Sequence, residues 1–97
     1  MLPVLPPVHP GEILREEYLG PLGISAGALA RKVGVPRTRI ERLAAEATPV
    51  TPDTALRLAK ALNTTPQLWM NLQTSYDLKI EAERLAKEIA AIDPVAA

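Results

Sequence analysis

Apolar residues recur at helical spacing from Ile13 to Ile92. Ile13, Leu14 and Tyr18 form one face of a first helix. It starts at His9-Pro10-Gly11-Glu12 and is expected to end before Gly20-Pro21. Proline suits a first turn, where its missing N–H would be unpaired anyway. Glu12 lies at the positive end of the helix dipole, and His9, the single histidine, precedes or caps the helix. Leu22 and Ile24 lead into a second helix with a Ser25 cap, a core stripe of Leu29, Ala30 and Val33, and Gly34 as its stop. A third opens at Pro36 and turns Ile40, Leu43 and Ala44 inward; Val50, in the connection that follows, is expected to plug into the core. The fourth has Thr51 as cap and Pro52 at its first position, with Ala55, Leu58, Ala59 and Leu62 at i, i+3, i+4, i+7 and Asn63 as its end. The fifth repeats that grammar with Thr65 and Pro66, and Leu68, Trp69, Leu72 and Tyr76 make its first apolar face.

After Tyr76 the stripe moves around the helix. Leu78, Ala82, Leu85, Ile89 and Ile92 follow spacings of 4, 3, 4 and 3, a heptad pattern. One continuous helix ending at Asp93-Pro94 would then carry two faces, one for the domain core and one for a second chain or for folding back on its own. The pattern predicts an all-α protein, a five-helix domain with an extended C-terminal helix. Its expected parts are a flexible Pro-rich arm at 1–8, a helix-turn-helix domain at 9–77 with its motif at 25–44, and an extension at 78–97.

Residues 25–44 carry the functional signal. Two short helices joined by a tight turn at Gly34 are the pattern of a DNA-binding helix-turn-helix. With Ile40, Leu43 and Ala44 inward, a step of about 100° per residue puts Thr38 and Arg42 nearly opposite the core. Arg39 and Glu41 flank them, and Arg37 sits at the exposed N-terminal end. A recognition helix offers its N-terminal residues to base edges in the major groove. Arginine binds guanine with two parallel hydrogen bonds, and threonine can touch a thymine methyl or a phosphate.

The chain's net charge is zero, yet its charges are uneven. Residues 25–50 hold Arg31, Lys32, Arg37, Arg39 and Arg42 against Glu41 and Glu46, a net +3, and both flanks are acidic. A local basic face matters more for phosphate attraction than the total. The absence of cysteine excludes disulfides and thiolate metal sites and fits a reducing cytoplasm. No run of about 18 apolar residues suggests a membrane span. The first eight residues are too short and too Pro-rich to read as a signal peptide. One histidine, no phosphate loop and no GxGxxG leave no enzyme signature, no metal site and no cofactor to expect. Glu16-Glu17 and Glu81/Glu83 read as solvating charges.

His9-Pro10-Gly11-Glu12, the motif at 25–43, the run 51–62 (TPDTALRLAKAL), Trp69-Met70-Asn71-Leu72-Gln73 and Tyr76-Asp77-Leu78 together resemble the HigA/VapI group of bacterial antitoxins. That group lies within the lambda-repressor-like (XRE) helix-turn-helix family. The resemblance covers about residues 9–80, and its most specific blocks are 55–62 and 69–78. It implies a lambda-repressor-like fold and a homodimer that represses its own operon at a palindromic operator. It also implies a partner, a HigB-type toxin that is a ribonuclease acting on mRNA at the ribosome. Carried over by position, the DNA-binding set is Ser25, Arg37, Thr38, Arg39 and Arg42. Leu78, Ala82, Leu85 and Ile89 are the candidate dimer or partner contacts. Two departures stand out: Ala26 occupies a place where family members often carry a DNA-contacting Gln, and Ala45-Glu46-Ala47 replaces an Asn-Gly followed by basic residues. Glu46 is expected to repel a nearby phosphate. Alternative readings are an interaction module with weakened DNA binding and an XRE regulator not linked to a toxin.

Overall fold

The computed structural model describes residues 6–96, and every structural statement below concerns that range. Residues 1–5 of the expected Pro-rich arm lie outside it; Pro6–Val8 have no regular secondary structure. The rest is all-helical. Helix α1 runs through three segments, α-helical Pro10–Ile13, π-helical Leu14–Leu19 and α-helical Gly20–Leu22. Helices α2 (Ala26–Val33), α3 (Arg37–Ala44), α4 (Pro52–Leu62), α5 (Pro66–Arg84) and α6 (Ala86–Ala90) follow.

Five helices begin where the apolar pattern put them, and α6 continues the C-terminal extension. Their caps are those the sequence signals. Ser25, Thr51 and Thr65 each accept a hydrogen bond from the backbone N–H three residues on, at 3.0, 3.3 and 3.1 Å. His9 caps α1 by accepting from the Gly11 N–H at 2.9 Å, and its ring meets Tyr76 of α5 edge-on, centroids 4.9 Å apart. Gly34 (φ 77°) and Asn63 (φ 55°) end α2 and α4 in the left-handed conformation.

The core joins Leu14 and Leu19 of α1, Leu29 and Ala30 of α2, Ile40 and Leu43 of α3, Ala55 and Leu58 of α4, and Trp69 of α5. Trp69 is fully buried and still satisfies its indole N–H, which donates to Thr64 Oγ1 at 2.8 Å. Tyr18 packs against it with ring centroids 5.4 Å apart. Val50 plugs into the core as expected, and its N–H donates to the buried Gln73 side chain at 2.7 Å.

Three expectations need correction. The first helix does not stop before Gly20-Pro21. In a regular α-helix Pro21 would clash with the carbonyl four residues back and leave it without a donor. The chain instead widens to π turns, in which the Gly20 N–H bonds to the Arg15 carbonyl, and passes through the proline. That widening stacks Leu19 on Leu14, five residues back, and so buries a leucine that the 3.6 period leaves off the core face. Second, Leu68 was expected on the core face of the fifth helix, but it is exposed there. Third, the C-terminal helix is not continuous: Leu85 (φ −101°, ψ 12°) is a joint between α5 and α6, and the helix ends at Ala90, before Ile92.

Candidate nucleic-acid interface

The reading helix α3 is seated by its inward residues. Ile40 and Leu43 are buried, so Thr38 and Arg42 on the opposite side are held outward and exposed. Two close approaches fix this seat. At one end, Gly11 of α1 lies against the Leu43 carbonyl, where a Cβ would overlap the carbonyl oxygen and come within 2.9 Å of its carbon. At the other, Gly34 supplies the positive φ that lets the chain turn from α2 into α3. Arg15 of α1 adds an outer tie, because its Nη1 donates to the carbonyl of Ala44 at the end of α3.

Thr38, Arg39 and Arg42 line one cleft of about 540 Å³ with Thr48, Pro49, Thr51 and Asp53. Ser25 and Arg37 lie beside it: the Arg37 stem passes over Gly27, in the first turn of α2, so that a Cβ on Gly27 would come within 2.8 Å of Arg37 Cδ. Ser25 Oγ is occupied as an acceptor by the Ala28 N–H, which leaves its O–H free to donate outward. Arg37 thus packs over the first turn of α2 and Ser25 caps that helix, while three of the five expected residues share the cleft. Thr48, Thr51 and Asp53 join them from the loop and the start of α4. From the sequence alone Thr51 is a helix cap, and Thr48 and Asp53 join the face only through the fold. The signal that could have found them is the Thr-Pro repetition at 48–49 and 51–52, two hydroxyls in rigid backbone directly after the reading helix.

The arginines of this face differ in their partners. Arg37 Nε lies 3.5 Å from Glu41 on its own helix, and Arg39 Nη1 lies 2.8 Å from Asp53 Oδ1 on α4. Arg42 has no ion pair among the described residues. Asp53 Oδ1 also accepts from Arg57 Nε at 2.8 Å. The Arg57 hydrogen bond first, and Arg39 after it, hold the Asp53 carboxyl below the usual carboxylate range. Glu46 sits in the left-handed conformation (φ 63°) with its carboxylate 3.1 Å from Arg15 Nη2. Arg15 also lies 3.0 Å from Glu16, so it answers the Glu46 charge only in part, and the expected repulsion of phosphate by Glu46 is reduced rather than removed.

The candidate dimer stripe lies elsewhere. Leu78 (64% exposed), Ala82 and Ile89 (56%) face solvent, Leu85 is half-buried at the α5–α6 joint, and Ile92 (66%) is exposed beyond the last helix. No described residue folds back to cover this face.

A helix-turn-helix family model matches residues 14–69. Virulence-associated protein I of Dichelobacter nodosus is 48% identical over 91 residues, which are 94% of this chain and 83% of the relative. Among solved structures, the Pseudomonas aeruginosa antitoxin HigA with the higBA promoter is 38% identical at a TM-score of 0.88, over 93% of this chain and 99% of that one. The antitoxin GraA in complex with its operator is 41% identical at a TM-score of 0.89, over 100% and 99%. No helix of the described residues is long and apolar enough to cross a membrane. With a family model over more than half of the chain and relatives matching over nearly the whole length, the chain belongs to the helix-turn-helix family, in its HigA-type antitoxin branch, a non-enzymatic class.

Proposed function

We propose that this chain is a transcriptional repressor and antitoxin that binds its own operator as a homodimer and neutralises a HigB-type ribonuclease in the cytoplasm. The observation that carries the reading is α3 itself, an outward Thr38 and Arg42 on a helix whose opposite side is locked into the core. Two copies would place their α3 helices about one DNA turn apart on a palindrome. Thr38, Arg39 and Arg42 would then face base edges, with Ser25 and Arg37 on the flanking phosphates. Leu78, Ala82, Leu85 and Ile89 would pair the copies, since Leu78, Ala82 and Ile89 are exposed and Leu85 only half-buried among the described residues. In this division of the chain, residues 9–77 read DNA and 78–97 extend the assembly. Relatives of this size have been solved with promoter and operator DNA, and their helices superpose on these.

Fluorescence anisotropy on a duplex from the chain's own upstream region, titrated at several salt concentrations, tests the DNA half. Specific binding that weakens as salt rises is expected, and absence of binding at every salt concentration refutes it. The antitoxin half is tested by co-expression with the neighbouring open reading frame. Rescue of growth and co-purification of a small protein are expected; a neighbour that is neither toxic nor bound refutes the assignment. Binding to that neighbour without operator binding would favour the interaction module instead. Glu46, whose arginine partner is shared with Glu16, and Ala26, which lacks the amide that would reach DNA, are the residues that motivate it.

A further inference from the structure

An acid in the cleft meant for a polyanion calls for a reason. Asp53 lies in the first turn of α4 and lines the cleft beside Thr38, Arg39 and Arg42. Its Oδ1 accepts from two guanidiniums at once, Arg39 Nη1 at 2.8 Å and Arg57 Nε at 2.8 Å. Arg57 is fixed at its other end too, because its Nη1 donates to the Val33 carbonyl at the end of α2, at 2.6 Å. The chain of bonds runs Val33, Arg57, Asp53, Arg39 and so crosses from α2 through α4 to α3. Of the three arginines on α3, Arg39 alone is held by a side chain of another helix: Arg37 has a loose partner one turn away on α3, and Arg42 has none among the described residues.

Stability is a weak reason for this arrangement. All three side chains are about half exposed, at 43, 55 and 41% for Arg39, Asp53 and Arg57, and exposed ion pairs contribute little. An unopposed carboxylate would also weaken attraction to phosphate. The arrangement does supply direction. A free arginine on a DNA-facing helix swings to whichever phosphate is near, whereas a guanidinium tied at one Nη keeps its remaining N–H groups aimed one way. The planar fork then suits the two acceptors of a guanine edge.

We propose that Asp53 is a positioning residue for DNA recognition, which fixes the Arg39 guanidinium for a base edge and withholds it from phosphates. The inference rests on the reading that α3 enters the major groove. Asp53 then trades bulk affinity for sequence discrimination, and Arg57 anchors the device through the α2 carbonyl.

The test measures operator and random-sequence duplexes across a salt series for the wild type, Asp53→Asn, Asp53→Glu, Arg39→Ala and the double variant. Asp53→Asn is expected to bind random duplex more tightly and to steepen its salt slope by about 0.9, one extra phosphate contact. Its operator-over-random ratio is expected to fall about tenfold, the discrimination of one good bidentate base contact. Asp53→Glu should recover part of that ratio. In the Arg39→Ala background, Asp53→Asn should change the ratio by less than about twofold, because the residue being positioned is gone. A wild-type ratio and slope in Asp53→Asn would overturn the inference, as would an equal fall in the ratio with and without Arg39. A wild-type protein with no operator preference would overturn the parent reading, a result distinct from either.

Discussion

Gly11→Ala tests whether α1 and the reading helix are built against each other. A methyl group at this position would overlap the Leu43 carbonyl oxygen and come within 2.9 Å of its carbon and 3.1 Å of His9 Nδ1. The main obstacle is backbone inside a helix, so no side-chain rotation relieves it. α1 and the end of α3 must part by something on the order of an ångström, which opens the packing around Leu14 and strains the His9 cap. Overpacking of this kind costs about 1–3 kcal/mol, and a backbone obstacle puts it at the upper end. Against it stands the better helix propensity of alanine, roughly 0.5–1 kcal/mol. The overlap therefore wins, with a net loss of about 2 kcal/mol. For a domain of this size each kcal/mol moves Tm by roughly 4–8 °C, so the expected fall is about 8–16 °C. Thermal unfolding followed by circular dichroism at fixed protein concentration measures it, since a dimer's Tm depends on concentration. A Tm equal to or above the wild type would show that α1 is not packed on the Leu43 carbonyl, and the seat assigned to α3 would be wrong.

Arg42→Ala removes an exposed side chain with no ion partner among the described residues. Operator affinity should fall about tenfold with Tm unchanged, because such surface changes stay within about 0.5 kcal/mol; unaltered affinity would remove Arg42 from the reading face. Leu78→Glu combined with Ile89→Glu places charge on the exposed C-terminal stripe. Light scattering should report a monomer with weakened operator binding, and an intact dimer would locate the interface elsewhere. The pH test uses Asp53, whose carboxyl is held below its ordinary 3.8 by Arg57 first and Arg39 second. A depressed folded value means that its contribution is present above the ordinary range and is lost as pH falls through the folded one. Because the pair is exposed that contribution is small, so the check is an NMR titration: the Asp53 carboxyl should ionise below its ordinary range in the wild type and move back up in Arg57→Ala, and an ordinary value in the wild type would refute the pairing.

Local chemistry made most of the fold legible. Ser25, Thr51 and Thr65 state where helices begin because a hydroxyl three residues before an N–H has one good use there. Gly34 and Asn63 state where they end because few residues tolerate positive φ. What escaped depends on partners far away in the chain. Leu19 is buried because a proline two residues later forces wide turns, and a fixed 3.6 period cannot register that change. Leu68 is exposed because α5 meets the domain through Trp69 and Gln73, a choice made by the other helices. The same holds at the site. Arg37, Thr38, Arg39 and Arg42 could be placed outward from the inward Ile40 and Leu43 alone. Glu41, one turn from Arg37, was also legible; Asp53 was not, since it reaches Arg39 through a tertiary contact from α4.

Those partners change how the basic face works. As a string of residues, 25–50 carries a net +3. In the folded chain Arg37 is shared with Glu41, Arg39 with Asp53, and Glu46 is answered in part by Arg15 from outside the motif. One α3 helix therefore offers a single arginine with no protein counter-ion and two whose charge is partly spent. Few unopposed cations mean a shallow salt slope and weak attraction to arbitrary DNA, so affinity must come from geometry and from number. Geometry is supplied by the seat of α3 on Gly11 and by the tether on Arg39. Number requires a second copy, because two coupled modules gain affinity by several orders of magnitude without any new contact. If the exposed stripe from Leu78 to Ile89 supplies that pairing, as proposed above, a monomeric variant should lose operator binding out of proportion to any single arginine.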